Sequence, residues 1–156
     1  MHPHVEAFLA KAGVAYRVHR HSDYPVAIGS PGDFARALGY ESDRITKSLF
    51  FRCAPSGVYG FAVSAATRKV RLDRLAQHLE CRRAYIASPE ELSAVIGYPP
   101  AGVSPLGVAN IPIFMDRALL GYPTVLVGAG VVGVEVELAP SDLQAITGAE
   151  VLDLAD

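Results

Sequence analysis

Val5, Phe8, Leu9 and Ala12 recur at helical spacing and Gly13 follows them as a stop, so the pattern predicts a helix over residues 4–12. A short strand at Tyr16–His19 comes next. Residues 20–30 show no period and could wall a pocket. Ser30-Pro31 reads as a cap followed by proline in the first helical position, opening a helix that ends near Gly39. The β-branched and aromatic content of residues 44–52 predicts a strand, Pro55-Ser56-Gly57 a reversal, and residues 58–65 its hairpin partner. Leu72, Leu75, Ala76 and Leu79 mark a further helix, and residues 84–87 a strand. Ser88-Pro89-Glu90-Glu91 is a capping box for a helix that Gly97 ends. Strands follow at residues 111–115, 124–127 and 132–138, then a helix at 140–147 and a last strand at 151–154. Several strands follow one another without a crossover helix, which predicts an α/β fold with a mixed sheet rather than a doubly wound parallel one.

Composition narrows this to one compact unit. The 156 residues can bury a sizeable core but not two ordinary ones, and 51% hydrophobic with 19% charged residues excludes a disordered chain. No apolar run approaches a membrane span, and Met1-His2-Pro3-His4 lacks the regions of a signal peptide, so a cytoplasmic protein is expected. Cys53 and Cys81 lie in different segments without metal-ligand spacing, and each is expected to pack as a small hydrophobe rather than to pair. The net charge of −2 conceals an asymmetry: residues 36–83 carry ten basic and four acidic groups, residues 84–156 one arginine against nine acids. One face could hold a phosphodiester backbone; solvated helix faces fit the same charges.

Gly128-Ala129-Gly130-Val131-Val132-Gly133 matches G-x-G-x-x-G, but its context rejects a dinucleotide site. That fingerprint needs a helix next, whereas Val134, Val136 and Leu138 alternate with Gly133, Glu135 and Glu137 as in a strand. The glycines then connect neighbouring strands, and amides around Gly128 and Gly130 could still face a ligand. No cofactor is expected.

Lys47 stands inside a strand pattern, where lysine is depleted, and is one of three lysines in the chain. An ammonium in a cleft attracts phosphate or carboxylate; a lysine snorkelling from an edge strand is the alternative. The segment from Gly97 to Gly107, which contains Gly102-Val103-Ser104-Pro105, combines stiffening prolines with glycines that permit close approach, so its amides can be aimed at an oxygen. A structural loop could look the same. Ser104 lacks a nucleophile-elbow context and is expected to donate a hydrogen bond rather than attack.

At these elements the sequence resembles the YbaK/ProX family of aminoacyl-tRNA deacylases, free-standing relatives of the editing domain inserted in bacterial prolyl-tRNA synthetases. The residues that carry the resemblance are Ile45-Thr46-Lys47-Ser48-Leu49, Ala87-Ser88-Pro89-Glu90-Glu91, Gly97-Tyr98 through Gly102-Val103-Ser104-Pro105-Leu106-Gly107, and Gly133-Val134-Glu135-Val136-Glu137-Leu138. The resemblance covers nearly the whole chain and implies a single editing domain over residues 1–156 with a partly barrel-like sheet. It implies hydrolysis of the ester between a wrong amino acid and the 3′ end of a tRNA, without metal or covalent intermediate. Cysteine or alanine on proline tRNA is the expected substrate, and prolyl-tRNA synthetase a possible partner.

Lys47 would then hold the terminal adenosine or its phosphate, and the backbone of Gly102, Val103 and Ser104 would orient the carbonyl. Pro105, Gly128, Gly130 and His21 would border the substrate. Glu135, at a family acidic position, would order the site, though on its strand pattern alone it reads equally as an exposed carboxylate. His21 stands where cysteine-specific members carry a tyrosine. His2, His4, His19 and His78 are expected at the surface. A non-catalytic module that binds aminoacyl-tRNA through the same pocket is the alternative from another class.

Overall fold

The computed structural model describes residues 1–156. Five helices are α1 (Pro3–Ala12), α2 (Pro31–Leu38), α3 (Leu72–His78), α4 (Pro89–Val95) and α5 (Pro140–Thr147). Eight strands are β1 (Tyr16–Arg20), β2 (Thr46–Ala54), β3 (Tyr59–Ala65), β4 (Arg83–Ile86), β5 (Ile113–Asp116), β6 (Val125–Gly128), β7 (Val134–Leu138) and β8 (Glu150–Leu152). Their starts follow local chemistry. The Ser30 hydroxyl accepts from the Asp33 amide at the head of α2, and Ser88 and Glu91 close a reciprocal capping box on α4. Helices α1 and α2 end on glycines with left-handed backbone, as the stop signals at Gly13 and Gly39 predicted, and α5 ends likewise on Gly148.

The strands form two sheets rather than one. The first is antiparallel, in the order β1-β7-β6; the second runs β4-β2-β3-β5-β8 and is parallel only at β3–β5 and β5–β8. A single bridge between Ile45 and Leu126 joins them, and no barrel closes. The parallel neighbours are separated by long excursions: α3, β4 and α4 lie between β3 and β5, and β6, β7 and α5 between β5 and β8. Parallel pairing requires such crossovers, whereas β2 and β3 need only the turn at residues 55–58.

The main core, which includes Leu9, Phe61, Met115, Leu119, Val125 and Leu138, is drawn from both sheets, α1 and the surrounding loops. A second cluster packs Phe51, Phe114 and Leu154 with Leu75 of α3. A third places Phe34 of α2 on Ile45 and Leu126, where the two sheets meet. Each fully buried leucine or phenylalanine contributes about 1.5–3 kcal/mol of transfer free energy, so the junction beneath α2 is anchored by apolar burial.

The two cysteines do not pack separately as expected. Cys53 at the end of β2 and Cys81 in the turn after α3 have Cα atoms 5.9 Å apart and form a disulfide. The β2–β4 pairing, which matches Cys53 with Ala84, carries the turn before β4 up to the end of β2.

Candidate active site

A cavity of about 530 Å³ opens where the two sheets meet. Its lining includes Ile45 to Leu49 from β2 and the residue before it, His21 after β1, and Ser30, Pro31 and Phe34 at the head of α2. Ile28, Gly29, Pro100 to Val103, Gly128 and Val131 to Glu135 complete it. Lys47 is partly buried and donates from Nζ to the Arg68 carbonyl. Burial lowers its pKa, because removing water penalises the charged form. Its strand pairs with β3 at Ser64, while β4 reaches only Phe51–Ala54 on the other side; the cavity lies along the part of β2 that β4 leaves open.

Two glycines bring the loops together. A Cβ on Gly102 would stand 2.6 Å from the Val131 carbonyl carbon, and one on Gly128 would collide with the Val103 carbonyl. The Gly102 N–H is committed to the Pro99 carbonyl at 2.9 Å, so it is not free to bind an oxyanion. The N–H groups of Val103, Val131, Val132 and Gly133 have no acceptor in the chain, and all four residues line the cavity. The free N–H donors on this side of the cavity thus belong to the neighbours of Gly102, while Gly102 itself permits the close approach.

Ser104 is fully buried and does not border the cavity; its Oγ accepts from the Leu106 N–H at 3.1 Å. Its hydroxyl makes no hydrogen bond to a histidine, so nothing positions a base to activate it as a nucleophile. Pro105 and Gly130 also lie outside the lining, and Gly130 packs against His2 and Tyr98. The segment after Gly128 enters β7 and no helix follows, as its alternation predicted. No group of three His, Cys, Asp or Glu side chains converges to hold a metal ion.

A polar network spans β1 and β7. Their register sets His19 opposite Glu135, and each histidine bonds diagonally to a glutamate two positions along. His21 Nε2 lies 2.6 Å from Glu135 Oε2, and His19 Nε2 lies 2.8 Å from Glu137 Oε1. The surroundings of the two carboxylates differ. Burial pushes the Glu135 carboxyl up, and attraction to His21 only partly opposes it. Burial also acts upward on Glu137, but hydrogen bonds from Thr124, Tyr40 and His19 outweigh it and leave that carboxyl below the ordinary range. His19 thus belongs to a part-buried network rather than the surface, with Tyr24 on its other nitrogen at 2.6 Å.

Sequence reasoning missed these pairings, although a signal existed. Histidines at 19 and 21 and glutamates at 135 and 137 share the period of two, although His21 lies just beyond the strand expected at residues 16–19. Thr46, whose Oγ1 donates to the Leu126 carbonyl at 2.6 Å, and Phe34, packed on the His21 ring at 4.7 Å, are further lining residues to which sequence reasoning assigned no role at the site.

Residues 27–146 match the family model described as the aminoacyl-tRNA editing domain, and the chain belongs to that family, whose members include aminoacyl-tRNA deacylases. A protein of Enterococcus faecalis named as a candidate Cys-tRNA(Pro)/Cys-tRNA(Cys) deacylase, EbsC, is 27% identical over 121 residues, covering 77% of this chain and 73% of that protein. The proline–tRNA ligase of Moorella thermoacetica is 32% identical over 74 residues, which are 47% of this chain and only 13% of the ligase. A solved structure described as a candidate trans-editing enzyme for prolyl tRNA synthetase superposes with a TM-score of 0.86 at 27% identity, over 100% of this chain and 99% of that one.

Proposed function

We propose that this chain, as one editing domain over its 156 residues, hydrolyses in trans the ester joining cysteine or alanine to the 3′ end of proline tRNA. The observation that carries the reading is the single cavity that gathers Lys47, the His21–Glu135 pair and unpaired backbone amides around Val103. A volume of about 530 Å³ suits an aminoacyl ribose, within the ordinary range of small-molecule sites.

The partly desolvated Lys47 ammonium attracts the terminal phosphate or ribose oxygens and fixes the acceptor end. The ester carbonyl then turns toward the amides of Val103 and the Val131–Gly133 segment, which meet the charge that develops on oxygen. Each such donor is worth roughly 2.7–4 kcal/mol in the transition state. The reaction is run by these protein groups and water. Discrimination by a synthetase pocket is weak for amino acids that differ by one methylene, about 1–3 kcal/mol, so a second sieve has a physical purpose.

The test offers purified protein cysteine, alanine and serine esters of proline tRNA, beside a protein-free blank and Lys47→Ala. Release of cysteine or alanine well above the blank, reduced in Lys47→Ala, is the expected result. Tight binding of the charged tRNA with no release would identify a recognition module instead. Prolyl-tRNA synthetase added to the assay reports whether it supplies tRNA selectivity.

A further inference from the structure

We propose that His21 is the general base that activates the hydrolytic water, with Glu135 as its positioning residue, so that this site needs no nucleophile from the substrate's own side chain. The inference deepens the deacylase reading and rests on it. Three geometric facts carry it. His21 lines the cavity, and its Nε2 is held by Glu135 at 2.6 Å. Its other nitrogen, Nδ1, has no hydrogen-bond partner in the chain and lies 4.0 Å from where a Cβ on Gly133 would stand, beside the unpaired amides of that turn. The ring is fixed by Phe34 packed against it at 4.7 Å and by the His21 amide, which donates to the Gly133 carbonyl at 2.9 Å.

A carboxylate on one imidazole nitrogen selects the tautomer that carries its proton there and leaves the lone pair on the other. Glu135 therefore places the base at Nδ1. The neighbouring network does not offer the same arrangement: His19 has Glu137 on Nε2 and Tyr24 on Nδ1, which leaves no nitrogen for water. The titratable groups that border His21 are Glu135 on β7, His19 two residues back on β1 and Lys47 on the same cavity; α2 presents Phe34.

Atoms and electrons balance through the cycle. Water adds through oxygen to the ester carbonyl carbon while one of its protons passes to Nδ1. The carbonyl electron pair moves to oxygen and is met by the backbone amides, and Glu135 faces the imidazolium. Collapse of the tetrahedral species breaks the bond to the ribose oxygen, which takes the proton back from Nδ1. Free amino acid and a tRNA with its hydroxyl restored leave, and the site is unchanged.

The experiment measures single-turnover and steady-state deacylation of Ala-tRNA(Pro), which has no thiol, and Cys-tRNA(Pro), by the native chain, His21→Ala and Glu135→Gln. General-base catalysis is worth about 10²–10⁴-fold, so His21→Ala is expected to lose at least about 100-fold in kcat on the alanine ester, with KM changed less than about 3-fold. Added imidazole restores part of that rate in His21→Ala and none in Lys47→Ala. Glu135→Gln, of nearly the same shape, loses kcat on both esters while its thermal midpoint stays near that of the native chain. Full kcat in His21→Ala, or a His21→Ala defect that imidazole does not relieve in a folded protein, overturns the assignment. So does a native chain that cleaves only the thiol-bearing ester. If the native chain cleaves neither ester, it is the deacylase reading that fails.

Discussion

The α-carbon of Gly102 faces the backbone of Val131 with no space for a side chain between them: a Cβ on Gly102 would stand 2.6 Å from the Val131 carbonyl carbon and 2.9 Å from its nitrogen. The neighbours are backbone and cannot swing aside, so Gly102→Ala forces the two loops apart. Overpacking of this kind costs about 1–3 kcal/mol, which for a chain of this size lowers Tm by roughly 2–4 °C per kcal/mol. Because both loops line the cavity, kcat/KM for deacylation falls by more than about 10-fold. Thermal melts with parallel kinetics check both expectations; native kinetics in Gly102→Ala would show that the loop contact is irrelevant to the site.

Ser104→Ala separates a structural serine from a chemical one. Its Oγ satisfies the buried Leu106 N–H, and removing it leaves that donor unpaired at a cost of about 1–3 kcal/mol. The variant loses stability in urea titration yet keeps kcat within about 3-fold. A loss of several orders in kcat with unchanged stability would return Ser104 to the chemistry.

Acid destabilises the protein through Glu137. Burial pushes its carboxyl up, but hydrogen bonds from Thr124, Tyr40 and His19 to the ionised form outweigh that push and hold the folded pKa below the ordinary 4.5. A depressed folded pKa contributes stability that is complete above the unfolded value and is lost as pH falls through the folded one. Unfolding free energy therefore drops as pH falls below about 4.5. Glu137→Gln is less stable at neutral pH and shows a shallower acid limb. Glu135 has the opposite sign: its carboxyl is raised by burial, so its contribution weakens as pH rises, and Glu135→Gln does not flatten the acid limb.

Reduction of the Cys53–Cys81 disulfide lowers stability without touching catalysis. Joining residues 28 positions apart constrains the unfolded chain by about 3–4 kcal/mol on the loop-entropy account. Cys53→Ser, or reductant added to the native chain, is expected to lower Tm by roughly 10 °C. Neither cysteine lines the cavity, so kcat at a temperature well below the transition stays native.

Much of the architecture was legible because its causes are local. The Ser88–Glu91 capping box, the Ser30 cap and the glycines after α1 and α2 act within a turn of the residues they control. Strand periodicity likewise suffices to reject the dinucleotide motif, since Val134, Val136 and Leu138 alternate over five residues. Lys47 was visible as a lysine out of place in a strand. The 3-10 turn at Pro100–Gly102 was not, and it consumes the Gly102 amide on Pro99.

By itself, the order of residues determined the helices, the strands, the family resemblance and the candidate cavity segments, because propensity, capping and periodicity are properties of neighbours. Only the tertiary structure decided that the strands divide into two sheets joined at Ile45 and Leu126, that Cys53 meets Cys81, and that His21 pairs with Glu135 across 114 positions of chain. Such contacts depend on register and on which strands become neighbours, and these follow from burying the whole set of apolar faces at once rather than from any single segment.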